Sequence, residues 1–316
     1  MRKTIGFFAL LITLFLLCSC SAQPVSDEKQ ISFTDSMNNL VSLGKAPETV
    51  AVLFSSYAEI WNLAGGTVSV TVGESVERGF APEETPLVDD GAGKNIDMEL
   101  LLAAQPDFVI GSADIDAQVE ACSLLQQAGI PAALFRVDTF SDYLSMLKIC
   151  TQITSDAQAY ETYGTAVKAR VDEILAATQA QQSQQKDILF IRAGSQYSST
   201  KAKRAPDNFV CIMLDELGAH NIADEAEVLL DGLSLEEILL QDPEHIFLTT
   251  MGSEQAAVGY INELFAQAGW KNLTAVKQDN YTFLQKELFH FKPNARWAEA
   301  YELLAKLLYP ELKLGE

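Results

Sequence analysis

The stretch TSDAQAYETYGTAVKARVDEILAATQAQQ, residues 154–182, decides how the rest of the chain is interpreted. Thr154, Ser155 and Asp156 are all favourable helix N-caps. Without proline, the segment predicts a helix roughly 40 Å long. Such a helix is either an ordinary element at the edge of one domain or a rigid strut between two. Apolar residues recur in it at three- and four-residue steps, along one helix face: Tyr160, Tyr163, Val167, Val171, Ile174 and Leu175.

The length and composition of the chain favour two globular domains. The 316 residues are enough for two domains of ordinary size, and an apolar content of 48% supports substantial cores. The formal net charge of −21 argues against nucleic-acid binding through bulk electrostatics. It leaves room for a local basic pocket that binds an acidic ligand.

The N-terminus carries the features of an export signal. Arg2 and Lys3 precede an apolar run over residues 5–17 that is too short to span a bilayer comfortably. The following Leu-Cys-Ser-Cys sequence resembles the bacterial lipobox, in which the signal is cut before a cysteine that is then diacylated; here that cysteine is Cys20. A plain secretory signal cut nearby is the alternative. We therefore expect a signal peptide over residues 1–19 and a polar tether over residues 20–40.

Two acyl chains supply stable membrane attachment. The predicted location is therefore the outer face of the cytoplasmic membrane, with a lipid anchor.

The other cysteines and the histidines do not predict a metal site. No HxxxH, HExxH or CxxC pattern occurs, and the cysteine spacings match no metal motif. We expect the three remaining cysteines to be small buried apolar residues: Cys122, Cys150 and Cys211. GxSxG, Walker and GxGxxG motifs are also absent from the sequence, so we do not expect an enzyme.

Strand and helix patterns alternate on both sides of the long helix. This alternation predicts the α/β class with mostly parallel sheets and helices on both faces. We expect two similar Rossmann-like lobes, over residues 41–153 and 184–316, joined by a single long interdomain α-helix over residues 154–183. Ligands of open α/β sheets bind beyond the carboxyl ends of the strands, so the cleft between the lobes is the expected site.

The two halves also share a specific segment. Residues 97–107, DMELLLAAQPD, align without a gap with residues 234–244, SLEEILLQDPE. In each, a capping residue, a glutamate, an apolar run, a proline and an acid coincide, and an apolar strand follows. The match indicates an internal repeat, with one copy in each lobe.

The chain resembles the substrate-binding lipoproteins of ABC importers for iron–siderophore, heme or cobalamin. Four segments in order carry this resemblance, which extends over nearly all of the mature chain: residues 47–52, 97–110, 233–247 and 268–277, the last reading AGWKNLTAVK. The resemblance implies two lobes joined by one helix, a monomer with no resident cofactor, and delivery of a bound metal chelate to a membrane permease and its ATPase.

The resemblance also implies a role for Glu99 and Glu236, which occupy equivalent places in the repeat. In the family, a glutamate on the rim of each lobe pairs with arginines of the permease. The alternative is a local role, because a carboxylate in the first turn of a helix stabilises it by roughly 0.3–1 kcal/mol.

Loops after the predicted strands provide the candidate ligand contacts. Several are basic in an otherwise acidic chain, which favours an anionic ligand, and aromatic residues could cover a planar group. Each could instead be an ordinary surface or core residue. The candidates are Ser55, Ser56, Tyr57, Arg78, Phe80, Arg136, Arg192, Tyr197, Met251 and His290.

We expect a ferric siderophore as the ligand, with heme or a corrinoid such as cobalamin as alternatives. His290 or Tyr57 could ligate heme iron. The family's cobalamin binders often carry a tryptophan just before the 97–110 segment, where this chain has Gly91-Ala92-Gly93. A surface ligand sensor that is not coupled to a permease is the competing class.

Overall fold

The computed structural model describes residues 30–89, 91–179, 181 and 185–315. The predicted signal peptide, Cys20 and most of the tether therefore lie outside the described residues. Within those residues, no helix combines the length and the apolar character needed to cross a membrane.

Ordered structure begins before the predicted end of the tether. Strands β1 (Ile31–Thr34) and β2 (Leu40–Leu43) form an antiparallel hairpin. The Asp35 carboxylate accepts hydrogen bonds from backbone N–H groups inside the turn. Phe33 packs edge-on against Phe108, with ring centroids 6.4 Å apart. The boundary expected at residue 40 is thus about ten residues too late, because an apolar side chain of β1 reaches the core.

The first lobe contains four parallel strands in the order β4-β3-β5-β6. Its strands are β3 (Val50–Val52), β4 (Val70–Thr71), β5 (Phe108–Ser112) and β6 (Ala132–Phe135). Its helices are α1 (Ser55–Leu63), α2 (Gly73–Glu77), α3 (Met98–Ala103), α4 (Asp116–Gln127) and α5 (Phe140–Thr154). Apolar runs in the sequence predict all four of these strands, but they do not predict α2 or α5. Helix α5 begins with a capping box formed by Thr139 and Asp142.

The long helix starts later than the sequence pattern suggested. Thr154 ends α5, and Ser155 adopts the left-handed conformation with a φ of 60°. The side chain of Asp156 then caps α6 (Ala157–Tyr160) by accepting a hydrogen bond from a backbone N–H. A π-helical turn follows and leads into α7 (Ala166–Gln179), so helical backbone runs from 157 to 179. The predicted apolar stripe faces the core.

The second lobe repeats the strand order of the first. Strands β9, β7, β10 and β11 are parallel neighbours, as are β4, β3, β5 and β6, and β8 adds an antiparallel edge. The strands are β7 (Lys186–Ala193), β8 (Lys201–Ala202), β9 (Ala219–Asn221), β10 (His245–Thr250) and β11 (Tyr281–Phe283). The helices are α8 (Phe209–Glu216), α9 (Val228–Asp231), α10 (Leu235–Gln241), α11 (Glu254–Phe265), α12 (Thr274–Lys277), α13 (Lys286–Phe289) and α14 (Trp297–Leu308).

One apolar core is shared by the two lobes. It includes side chains from one face of each sheet together with α1, α5, α7, α8 and α14. Trp297 is fully buried in it, with its ring 5.8 Å from that of Phe140 and 5.7 Å from that of Phe209. Because α14 packs along α7, where Arg170 pairs with Glu302 at 2.9 Å, the long helix is not alone in holding the lobes together.

Two residue predictions are decided by burial. The three cysteines are free and buried, as expected. Tyr57, predicted to contact ligand, is a core residue instead: it is 1% exposed and its hydroxyl donates a hydrogen bond to the Phe135 carbonyl at 3.0 Å. Burial also raises the pKa of its phenol, which opposes the phenolate needed to ligate iron. The prediction was wrong because Tyr57 lies on the inner face of α1.

Removal of the Trp297 side chain should weaken both lobes at once. We expect Trp297→Ala to lower the free energy of unfolding by about 3–5 kcal/mol, because it leaves a cavity in the shared core. In the Trp297→Ala chain, Trp61 reports on the first lobe and Trp270 on the second. Two versions of this chain, each keeping only one of these tryptophans, should both show the shift in the denaturant midpoint of unfolding. Leu240→Ala, at a residue 77% exposed, is the control. A midpoint that shifts for one reporter alone would contradict a shared core.

Tyr57→Phe should destabilise the chain without affecting ligand binding. The variant removes one of the two donors to the Phe135 carbonyl, which still accepts from the Ala113 N–H, so the expected cost is that of one hydrogen bond, about 0.5–1.5 kcal/mol. Tyr197→Phe is the matched control, since this tyrosine is 57% exposed and should lose nothing measurable. Chemical denaturation and a ligand titration together check the assignment. Unchanged stability with weakened binding would return Tyr57 to the ligand site.

Candidate ligand site between the two lobes

The first-lobe half of the site is built where β3 ends. Ser55 and Ser56 open α1, and the Arg78 guanidinium donates to their hydroxyls at 2.9 and 3.1 Å. Ser55 in turn donates to the Glu74 carboxylate. The guanidinium also lies over the ring of Phe80, 4.7 Å from its centroid. Four predicted ligand residues are therefore brought together, although they bond mainly to one another.

The same cluster contacts the second lobe. The Arg78 guanidinium lies 3.9 Å from the ring centroid of Phe291, a cation–π contact. The side-chain amide of Asn294 donates to the Ser56 carbonyl at 2.9 Å and to the Glu59 carboxylate at 2.7 Å. Burial raises the pKa of Glu59 and lowers the pKa of Arg78. This half of the site therefore works as a polar contact between lobes.

Arg192 is the main feature of the second-lobe half. It lies at the carboxyl end of β7, within the strand rather than in the loop that follows it. Its register partners are Thr249 on β10 and Lys201 on β8. The side chain is half-buried, and burial lowers its pKa. Among the described residues, no carboxylate or other group forms an ion pair or hydrogen bond with its guanidinium.

His290 follows α13, which packs against β10, and it lies within electrostatic range of Arg192. Burial, and then the positive charges of Lys286 and Arg192, lower the pKa of its imidazole; the charge of Glu74 and the Thr250 backbone oppose this. Its ring meets Phe291 edge-on at 5.1 Å, and the Lys286 ammonium lies 5.1 Å from the centroid of that same ring. Burial and two nearby cations therefore both favour the neutral imidazole.

The remaining candidates occupy other places. Met251 follows β10 next to the end of β7, where its N–H donates to the Ala193 carbonyl at 2.8 Å. Arg136 is exposed and paired with Asp114 at 2.6 Å, so its charge is already balanced. Tyr197 is mostly exposed and packs near Gly232, at the entrance to α10. A groove of about 750 Å³ beside β1, α5 and α6 contains none of the predicted ligand residues.

Sequence patterns missed three contributors to the cleft: Glu59, Glu74 and Asn294. Glu59 follows Ser55 by four residues on α1, which places both on one helix face, and this spacing was a usable signal. Asn294 has a positive φ of 51°, which asparagine tolerates better than most residues. Its partners lie in the other lobe, so no local pattern could have identified them.

Glu99 and Glu236 occupy the same position in their lobes. Each lies exposed in the first turn of a short helix, α3 or α10, whose N-cap is Asp97 or Ser234. Each helix then leads into a strand through a comparable hydrogen bond. The Asp107 N–H donates to the Thr49 carbonyl at 3.0 Å, next to the start of β3, and the Glu244 N–H donates to the Asp187 carbonyl at 2.8 Å, at the start of β7. Among the described residues, neither carboxylate has an ion-pair partner. The repeat noted in the sequence is thus a structural repeat.

Solved structures share this fold at low sequence identity. An ABC transporter substrate-binding protein from Listeria monocytogenes EGD-e matches with a TM-score of 0.67 and 15% identity, over 84% of this chain and 100% of that one. The apo periplasmic heme-binding protein RhuT from Roseiflexus sp. RS-1 gives 0.66 and 18%, over 83% and 98%. Staphylococcus aureus SirA complexed with staphyloferrin B gives 0.65 and 17%, over 90% and 99%.

Comparison of the sequence with models of known protein families identifies the family of this chain. No curated protein matches the chain significantly. The family described as periplasmic binding protein, however, matches residues 50–288, which include strands of both large sheets. The resemblance to substrate-binding proteins of ABC importers is therefore confirmed. From the family match, the repeated parallel sheets and the fold shared with solved binding proteins, we conclude that this chain belongs to the periplasmic binding protein family.

Proposed function

We propose that the chain is the extracytoplasmic solute-binding component of an ABC importer. It captures an iron complex between its lobes, a ferric siderophore before heme or a corrinoid, and delivers it to a permease driven by an ATPase. The observation that carries the proposal is the pair of exposed glutamates, Glu99 and Glu236, at equivalent positions of the two lobes.

The repeat favours a partner with two equivalent basic surfaces. A carboxylate that only stabilised its own helix would not need to be repeated in the other lobe at the same turn. Glu237, rather than Glu236, follows the N-cap Ser234 by three residues, and its backbone N–H bonds the serine hydroxyl. Glu236 is therefore free for a partner. In this proposal the helix over residues 157–179 connects the lobes, and together with α14 it holds the two glutamates at a set separation.

The cleft chemistry supports a metal chelate as the cargo. Basic and aromatic side chains from both lobes meet there, with Arg78 and Lys286 on the ring of Phe291. Among the structural neighbours, one is a heme-binding protein and another holds staphyloferrin B, which is consistent with an iron complex. With Tyr57 in the core, His290 is the remaining predicted ligand for heme iron.

Attachment to the membrane completes the proposal. Diacylation of Cys20 would hold a monomeric binding protein at the outer face of the cytoplasmic membrane, close to its permease. The polar residues before β1 would serve as the tether.

Charge reversal of both glutamates should stop import but not binding. We expect Glu99→Lys with Glu236→Lys to lower uptake of an iron-55-labelled chelate by more than about tenfold, because like charges then face each other across the contact. Affinity for the chelate, measured by tryptophan quenching, should stay unchanged.

The control reverses one exposed helical glutamate outside the first turn in each lobe, Glu120→Lys with Glu263→Lys, which changes the net charge equally. Its uptake should match that of the wild type. Normal uptake by the Glu99 and Glu236 double variant would refute the docking assignment. If the chain binds the chelate but its deletion leaves uptake unchanged, the surface-sensor class is favoured.

A further inference from the structure

We propose that Arg192, Lys201, Lys286 and His290 form an anion subsite that binds a carboxylate of the captured chelate. The inference rests on the proposed function, and it goes further by naming the chemical group that the second lobe recognises. No described residue provides a carboxylate partner for any of the three cations of this subsite.

The first observation is an uncompensated pair of cations on the sheet. Arg192 and Lys201 are direct cross-strand partners at the edge where β7 and β8 meet. Like charges opposite each other on a sheet destabilise it, and a half-buried guanidinium normally has a counter-charge. Acidic residues outnumber Lys and Arg by 43 to 22 in this chain, so many carboxylates could have served as a counter-charge for these two cations. None of the described residues supplies that partner, so the pair of cations is open to a counter-charge that a bound ligand can provide.

The second observation is independent and comes from a different segment. Lys286 and His290 lie at the two ends of α13, and both are placed against Phe291. Helix α13 packs against β10, whose Thr249 is the register partner of Arg192. Burial first, and then the charges of Lys286 and Arg192, lower the pKa of the His290 imidazole. The four nitrogen-bearing groups therefore lie at the same end of the second-lobe sheet, near the carboxyl ends of β7 and β10.

A carboxylate suits this arrangement better than a neutral donor set. A guanidinium binds a carboxylate through two parallel hydrogen bonds, a lysine adds a point charge, and a neutral imidazole can donate one N–H. Two sources present such a group on an iron complex: the carboxylate arms of a ferric chelate and the propionates of heme. The shared carboxylate is what the subsite recognises.

The test uses two matched pairs of probes on the purified chain without a permease. Ferric citrate and the cationic trihydroxamate ferrioxamine B differ in the carboxylate, as do hemin and hemin dimethyl ester. We expect one carboxylate probe to bind more tightly than its partner, and the pair that responds identifies the source. Arg192→Gln should weaken that binding by about 10- to 100-fold, the effect of one charge-assisted contact.

Two further variants keep the result interpretable. Arg204→Gln removes the same charge from the same lobe, but this arginine already pairs with Asp207 at 3.1 Å, so binding should change less than about twofold. Lys286→Gln tests the subsite from a different segment, in case Arg192→Gln, which lies on a strand, folds poorly. It should weaken binding of the same probe by about 3- to 10-fold. Ligand-free Arg192→Gln should be at least as stable as the wild type, because a half-buried charge without a partner is removed.

Several outcomes would overturn the subsite. These are failure of both carboxylate probes to bind, equal binding of a carboxylate probe and its partner, or an Arg192→Gln effect no larger than that of Arg204→Gln. Import can fail through Glu99 and Glu236 while this binding test succeeds, and the reverse also holds, so failure of one proposal is distinguishable from failure of the other.

Discussion

The fused apolar core between the lobes is the constraint on which the remaining structure depends. Each sheet buries one face against helices of its own lobe and the other face in a core that both lobes share. Trp297 lies in this shared core among aromatic rings from α5 and α8. A packed interior resists continuous deformation, so the two carboxyl edges face each other at a nearly set distance.

The cleft follows from this geometry. Contacts between lobes, such as Arg78 on Phe291 and Asn294 on Ser56, already satisfy the first-lobe side chains. The second lobe differs because Arg192 occupies the same sheet face as Phe190, at the point where the apolar core gives way to the cleft. A partly buried cation without a described partner breaks the rule that burial and pairing go together. Violations of this kind concentrate at binding sites, where the ligand supplies what the fold omits.

Much of the architecture was predictable because it is encoded locally. Buried apolar runs predicted most of the parallel strands, although not the short β9, and the repeat of residues 97–107 in 234–244 predicted two similar lobes with equivalent glutamates. Side-chain direction was not encoded in this way. Tyr57 and Ser56 are neighbours after the same strand and are equally buried, yet Tyr57 packs in the apolar core while the Ser56 hydroxyl accepts a hydrogen bond from Arg78.

Partners in the other lobe were equally invisible to local patterns. The bond from Asn294 to Glu59 joins residues far apart in the chain. The value of Arg192 as a site residue depends on which groups are missing around it, and only the folded chain reveals that.

The most direct test of the account is the distance between the lobes with and without ligand. Cysteines placed at the exposed positions 120 on α4 and 263 on α11 can carry spin labels in the chain from residue 30 onward, because its native thiols, Cys122, Cys150 and Cys211, are buried. Burial raises the pKa of Cys122 and Cys150 to about 12. Double electron–electron resonance would then measure the label separation in the free chain and in its complex with a bound carboxylate chelate. A shared core predicts a change of no more than about 2 Å, the scale of shifts at packed interfaces. A change of about 10 Å, or two separate distance populations in the free chain, would mean that the lobes hinge freely and would contradict the account.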